Sequence, residues 1–168
     1  MVRTDTGKPL LLIDVDGVLY PFAAPHCPDG YTAFGFFPDE EPVWLCLDHG
    51  RSLRELAEAF DLAWATGWPP EEVANHLSPT LGLPLIPAVT FDIPDRPFDP
   101  GLKVPPIDAF VGDRAAAWID DQLTSEAYAW AEGRSSPTLL VEVDPAIGLT
   151  EEIIERLTSW ATSLRNRG

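Results

Sequence analysis

The sequence predicts an α/β fold built on a mainly parallel sheet. Short apolar runs alternate with helix-patterned amphipathic segments along the 168 residues. Three of the apolar runs end in polar punctuation, at Asp14-Val15-Asp16-Gly17, Thr66-Gly67 and Asp120-Asp121. In open α/β sheets such strand ends gather at one edge, where functional groups collect. The length suits one domain with a real core, and no repeat, low-complexity tract or long linker divides residues 1–168.

The elements follow in order. Leu10 to Val15 reads as a first buried strand. From Leu19 to Leu47 the chain is irregular and rich in aromatics and prolines, with Thr32–Phe37 and Val43–Leu47 as a candidate hairpin. Asp48 reads as the N-cap of a helix whose apolar face is Leu53, Leu56, Ala57 and Phe60, spaced i, i+3, i+4 and i+7. Leu62 to Ala65 is a second strand. Pro69 and Pro70 open a helix to about Leu77, with Glu71 and Glu72 in its favourable first turn. A proline-rich stretch from Pro84 to Pro106 holds a short strand near Leu85–Val89 and then a loop. Ile107–Val111 reads as a helical turn, Ala115–Ile119 as a buried strand, Ser125–Glu132 as a helix and Thr138–Val143 as a fifth strand. Thr150 caps a final helix with an apolar stripe that includes Ile153, Leu157, Trp160 and Leu164.

Composition narrows the function classes. The net charge of -16 argues against nonspecific nucleic-acid binding and against anionic membranes. No apolar run approaches the ~18 residues of a membrane span. The N-terminus lacks a secretion-signal pattern, so a cytoplasmic protein is the expectation. The two cysteines, Cys27 and Cys46, are expected reduced. With His26 and His49 they match no firm zinc pattern.

The chemistry centres on the first strand end. Asp14 and Asp16 share a face if the strand continues unbroken. Asp-Gly is also an ordinary turn pair, and the segment alone leaves both readings open. Adding Asp120 and Asp121 at a parallel strand end brings four carboxylates towards one point. Clustered carboxylates repel unless a proton or cation separates them, and an all-oxygen set suits Mg²⁺. Lysine usage adds a clue: the chain has only Lys8 and Lys103 against nine arginines. An ammonium beside a nucleophilic carboxylate would lower its pKa and hold an anionic substrate; an ordinary solvated lysine is the plain alternative. Gly112-Asp113 precedes its apolar run instead of ending it, and so reads as a turn.

The order Asp14-Val15-Asp16-Gly17-Val18, Thr66-Gly67, Lys103, Asp120-Asp121 resembles the haloacid dehalogenase (HAD) superfamily of aspartate-dependent phosphohydrolases, over about Leu10 to Val143. The resemblance implies a three-layer Rossmann-like fold. It implies that Asp14 is the nucleophile forming an aspartyl-phosphate, and Asp16 the general acid and then base. Thr66, Gly67 and Lys103 would bind the phosphoryl group. Asp14, the Asp16 backbone carbonyl, Asp120 and Asp121 would surround Mg²⁺. An acid two residues after the nucleophile favours phosphoryl transfer over dehalogenation.

Family members often insert a cap domain. Residues 19–47 are too few for a large one, which implies a flap or minimal cap. The flap aromatics are more often core than substrate contacts, and Trp68 either lines the pocket or packs beneath it. His49 and His76 read as structural or solvated. The leading function is a Mg²⁺-dependent phosphatase acting on a phosphomonoester, small or exposed on a macromolecule. A polynucleotide-end phosphatase in nucleic-acid repair is the second reading, although Arg51, Arg54, Arg96 and Arg114 are too scattered to form an obvious groove. An inactive binding or regulatory module is the third. The oligomeric state is not legible.

Overall fold

The computed structural model describes residues 6–91 and 99–167. Its centre is a four-stranded parallel sheet of β1 (Leu10–Ile13), β4 (Asp61–Trp64), β5 (Ala116–Asp120) and β6 (Thr138–Glu142), in the order β4-β1-β5-β6. The registers Leu10↔Asp61 and Leu10↔Ala116 align the carboxyl ends of β1, β4 and β5.

Strand alternation sorts the sheet into two apolar faces. Leu11, Ile13, Leu62, Trp64, Ala117, Ile119 and Val141 belong to one core. Leu53 and Leu56 of α1 (Asp48–Leu56), Leu81 of α3 (Ser78–Leu81) and Leu157 and Ala161 of α6 (Glu151–Arg165) cover that face. Leu10, Leu12, Ala63, Ala116 and Trp118 face the other core, with Ile107 and Val111 of α4 (Val104–Val111) and Ala127 of α5 (Ser125–Gly133). Helices on both faces of a parallel sheet make the expected three-layer Rossmann-like arrangement.

Several expected boundaries move, each for a local reason. β1 ends at Ile13, two residues short of Val15, because the chain turns there: the Val18, Leu19 and Tyr20 N–H groups all donate to the Val15 carbonyl. The N-cap of α1 is Leu47, so Asp48 lies in the first helical turn, where its charge still meets the positive end of the helix dipole. The helix opened by Pro70 does not stop at Leu77. It runs from α2 (Pro70–Glu72) through a wider π-wound turn (Val73–Leu77) into α3. Pro79 explains the widening, since it lacks an N–H and its ring would crowd the carbonyl four residues back. Gly82, at φ 63°, then ends the helix.

Leu85–Val89 forms only an isolated bridge, Trp64↔Ala88. Pro84 and Pro87 cannot donate to a ladder, so no strand extends there. The loop expected after it falls at residues 92–98, with Arg96, outside the described residues. The helical turn at Ile107–Val111 is longer than expected, beginning at Val104 behind a 3₁₀ turn, Pro100–Lys103. Thr150 caps α6 as anticipated, its side chain accepting the Ile153 N–H.

Residues 19–47 carry the anticipated hairpin, β2 (Thr32–Phe34) antiparallel to β3 (Val43–Leu45). Aromatic contacts fasten it to the body. Phe36 stacks on His76 at 5.0 Å, Phe37 meets Trp68 at 5.3 Å and Tyr31 meets His49 at 5.8 Å. Gly148 lets the chain before α6 pass closely, since a Cβ there would lie 2.9 Å from the Val18 carbonyl oxygen. Among the described residues no helix is long and apolar enough to cross a membrane.

Candidate active site

Asp14 leaves β1 with the parity of Leu10 and Leu12, and Asp120 ends β5 with the parity of Trp118. Both carboxylates therefore point to the face that α4 covers. Lys103, at the junction of the 3₁₀ turn and α4, reaches into the same place from that layer. Its buried ammonium donates to Asp120 Oδ2 at 2.8 Å and to the Ala65 carbonyl at 3.0 Å, and lies 3.4 Å from Asp14 Oδ1. The one lysine singled out by sequence is thus a buried ion-pair centre.

Asp14, Asp120 and Asp121 each offer an oxygen within 4.8 Å of the others. Burial is the main force raising the Asp14 pKa well above the ordinary carboxylate value; Lys103 opposes it, and Asp120 and Asp121 add to it. Asp121 is pushed up to about 6 by desolvation and by Asp120. Burial works against the Lys103 ammonium, but Asp14 and Asp120 outweigh it and raise its pKa, so it stays charged. One ammonium does not balance three clustered carboxylates. An all-oxygen donor set with this surplus of negative charge fits a hard divalent cation such as Mg²⁺.

The remaining groups hold this set in place. Asp14 Oδ1 accepts the Val15 N–H at 2.8 Å. Asp120 Oδ1 accepts the Gln122 N–H at 2.9 Å, and its Oδ2 accepts the Trp118 indole N–H at 3.2 Å. Gly17, at φ 83°, gives Asp121 its space: a Cβ there would sit 2.4 Å from the Asp121 carboxyl. The motif glycine therefore serves the acid at the end of another strand as well as its own turn.

Asp16 stands apart from the three-acid cluster. The chain turns after β1, so Asp14 and Asp16 do not share a strand face, and three carboxylates converge where four were expected. The Asp16 carboxylate instead accepts the Trp68 indole N–H at 3.1 Å. Desolvation raises its pKa, and the Trp68 bond and Lys103 partly offset this. Thr66 is buried, and its oxygen accepts the Trp68 backbone N–H at 3.1 Å in a side-chain turn. Gly67 lines the cavity described next, whereas Thr66 is not part of its wall.

A cavity of about 760 Å³ opens over these groups. Asp14, Asp16, Gly67, Lys103, Asp120 and Asp121 all line it. Tyr20, Phe22, Phe37 and Trp68 give it aromatic walls, and Glu40, Glu41 and Glu72 add carboxylates. Trp68 does both things expected of it as alternatives: it lines the pocket and packs against the core. The flap aromatics divide, with Phe36 packed against the core and Phe37 both packed and lining.

Sequence reasoning missed Trp118 and Gln122 as supports of Asp120. The first was legible in principle, lying two residues before Asp120 on the same strand face. The second bonds through its backbone, which no side-chain pattern announces. His49 is buried, with Nε2 3.1 Å from the Leu149 carbonyl oxygen, and His76 Nε2 lies 3.1 Å from Glu72. Both remain outside the acid cluster.

Comparison with curated proteins gives no match. The family model described as the HAD domain in Swiss Army Knife RNA repair proteins matches residues 10–154, which spans every element from β1 into α6. That membership supports a phosphatase-type, phosphohydrolase activity in general. The chain belongs to the haloacid dehalogenase superfamily, in this family of HAD domains from RNA repair proteins.

Proposed function

We propose that the protein is a Mg²⁺-dependent phosphatase that hydrolyses a phosphomonoester through an aspartyl-phosphate on Asp14. The observation that carries this reading is the convergence of Asp14, Lys103, Asp120 and Asp121 at the floor of one cavity, with Asp16 at its wall. Residues 1–168 act as one HAD-like domain, with 19–47 as a flap in place of a cap.

Asp14 attacks phosphorus, forming the Asp14–phosphate bond as the ester oxygen leaves. Asp16, held by Trp68 and with its pKa raised by desolvation, is the acid that gives a proton to that oxygen. As a carboxylate it then takes a proton from water, which attacks the aspartyl-phosphate and releases phosphate. Lys103 orients Asp14 and faces the phosphoryl charge. Thr66 lies behind the cavity wall, where its oxygen accepts the Trp68 N–H and fixes the turn that presents Gly67 to the phosphoryl group. Asp14, Asp120, Asp121 and the Asp16 carbonyl would hold Mg²⁺, which supplies the charge that lets an anion approach an anion.

The family match favours one version of the substrate, a phosphate at a polynucleotide end. An inactive module is disfavoured, because all the acids of the motif set are in place. The direct test is hydrolysis of a panel of phosphate esters with and without Mg²⁺, with Asp14→Asn as control. Metal-dependent turnover lost in Asp14→Asn is expected; turnover unchanged in that variant would sink the covalent mechanism. Metal binding with no turnover of any ester would favour the binding module.

A further inference from the structure

The part of the cavity beyond the reacting phosphate has an unusual combination of surfaces. Tyr20 and Phe22, from the chain after β1, contribute one pair of rings in edge contact at 6.2 Å. Phe37 and Trp68, from the flap and the chain after β4, contribute another at 5.3 Å. Phe22 is 44% exposed, so its side chain is accessible to a ligand in the cavity. The volume of about 760 Å³ lies within the usual range for small-ligand pockets and leaves room beyond a phosphate.

Charge limits what can fill that room. The cavity wall carries seven carboxylates and one ammonium, Lys103, which is already committed to Asp14 and Asp120. Glu40 and Glu41 lie on the flap side and form no ion pair among the described residues. Internal phosphodiesters of a longer chain would meet this rim unfavourably. A flat, uncharged group would meet ring faces, and carboxylates at the rim can accept its N–H donors.

We propose that this aromatic wall is a base-stacking subsite: the substrate is a phosphorylated nucleotide end, recognised by its terminal base and not by its backbone. The proposal rests on the phosphatase reading above for its chemistry and goes beyond it in naming what holds the leaving group. Base-on-aromatic stacking tolerates any base, so the subsite selects for a base without selecting its sequence.

The test compares a phosphorylated dinucleotide, the same dinucleotide with an abasic terminal residue and a phosphorylated pentanucleotide, each as its 3′- and 5′-phosphate. With Mg²⁺, kcat/KM for at least one base-bearing end should exceed its abasic counterpart by about tenfold or more. Phe22→Ala and Phe37→Ala should each narrow that ratio. Extending the chain from two to five nucleotides should leave KM within about twofold, with no steeper salt dependence, because no further phosphate is neutralised. Binding is read separately on Asp14→Asn protein, by base-dependent quenching of tryptophan fluorescence that Trp68→Phe reduces.

Equal turnover of abasic and base-bearing ends would overturn the subsite, as would a KM that falls steeply with length and salt. Base-dependent quenching without turnover of any ester would leave the subsite standing and overturn the phosphatase reading alone.

Discussion

The Lys103 ammonium and the Asp120 carboxylate meet at 2.8 Å in a buried contact that ties the start of α4 to the end of β5. Asp14 lies 3.4 Å from the same ammonium. Lys103→Met would leave both carboxylates without their cation. Breaking a buried pair from one side typically costs about 3–5 kcal/mol, so urea unfolding of the metal-free variant should show a loss of that order. Saturating Mg²⁺ should restore part of the stability but not the activity. Lys103→Arg should rescue neither, because a planar guanidinium cannot reach Asp14, Asp120 and the Ala65 carbonyl from one point.

How much of this was legible in sequence follows from what each contact depends on. Asp14, Lys103, Asp120 and Asp121 were found because strand ends and an isolated lysine are visible along the chain. The separation of Asp16 from the cluster was not, because it depends on the turn at Val15, where three N–H groups share one carbonyl. Period-2 alternation misleads once a strand ends. The Trp68–Asp16 bond joins residues 52 apart and has no local signal. The π turn at Val73–Leu77 follows from Pro79, which lies beyond the expected helix end at Leu77 and leaves no mark on the apolar periodicity before it.

Metal and protons compete for the acid cluster. Asp14 and Asp121 have folded pKa values above the ordinary 3.8, with Asp121 at about 6. In metal-free protein these groups hold protons that the unfolded chain releases. The Asp121 contribution to stability is therefore full at low pH and falls as pH rises from about 4 through about 6, and Asp14 acts in the same direction. Mg²⁺ displaces the protons, so the gain in Tm on adding it should be small at pH 4 and grow through pH 6. A concentration of 100 Kd corresponds to about 2.7 kcal/mol. Asp121→Asn should weaken the pH dependence of that gain. A gain independent of pH would show that the cation binds elsewhere.

His49 predicts the opposite slope. Burial lowers its pKa from 6.5, with the Leu149 carbonyl and Asp48 opposing. As pH falls below 6.5 the unfolded chain takes up a proton that the folded protein refuses. Stability from this group is therefore full above 6.5 and declines with acidification until the lower folded value is reached. His49→Gln keeps a donor for Leu149 without titrating here. The stability difference between wild type and His49→Gln should shift in favour of Gln as pH drops from 7 towards 5, measured by urea unfolding at fixed Mg²⁺.

Gly17 links motif and metal site sterically. Its φ of 83° disfavours any side chain, and the added methyl of Gly17→Ala would fall on the Asp121 carboxyl. The backbone cost alone is about 1–3 kcal/mol. The more telling result is Mg²⁺ affinity: displacement of Asp121 should weaken binding at least tenfold by calorimetry, with the fold retained by circular dichroism. Gly30→Ala is the control. It shares a φ of 83° but has nothing within 4 Å of its Cβ, so it should lose stability without losing metal.

Trp68 holds the proposed acid through a single N–H. Trp68→Phe keeps a ring against Phe37 and removes the bond to Asp16 Oδ1. Protonating the leaving oxygen matters most when that oxygen leaves poorly. An alkyl phosphate depends on the acid, whereas p-nitrophenyl phosphate departs as a stable phenolate without much help. The variant should therefore lose about tenfold in kcat/KM on the alkyl ester, within the ~10²–10⁴ that general acid catalysis supplies, and at most about twofold in kcat/KM on the nitrophenyl ester by the same principle. Comparable losses on the two esters would mean that Trp68 supports the cavity wall and does not position Asp16. A loss confined to KM would place the tryptophan with the leaving group alone. The split between the esters, read as kcat/KM, isolates the acid role, because kcat/KM ends at transfer to Asp14 and the later step in which Asp16 activates water is common to both esters.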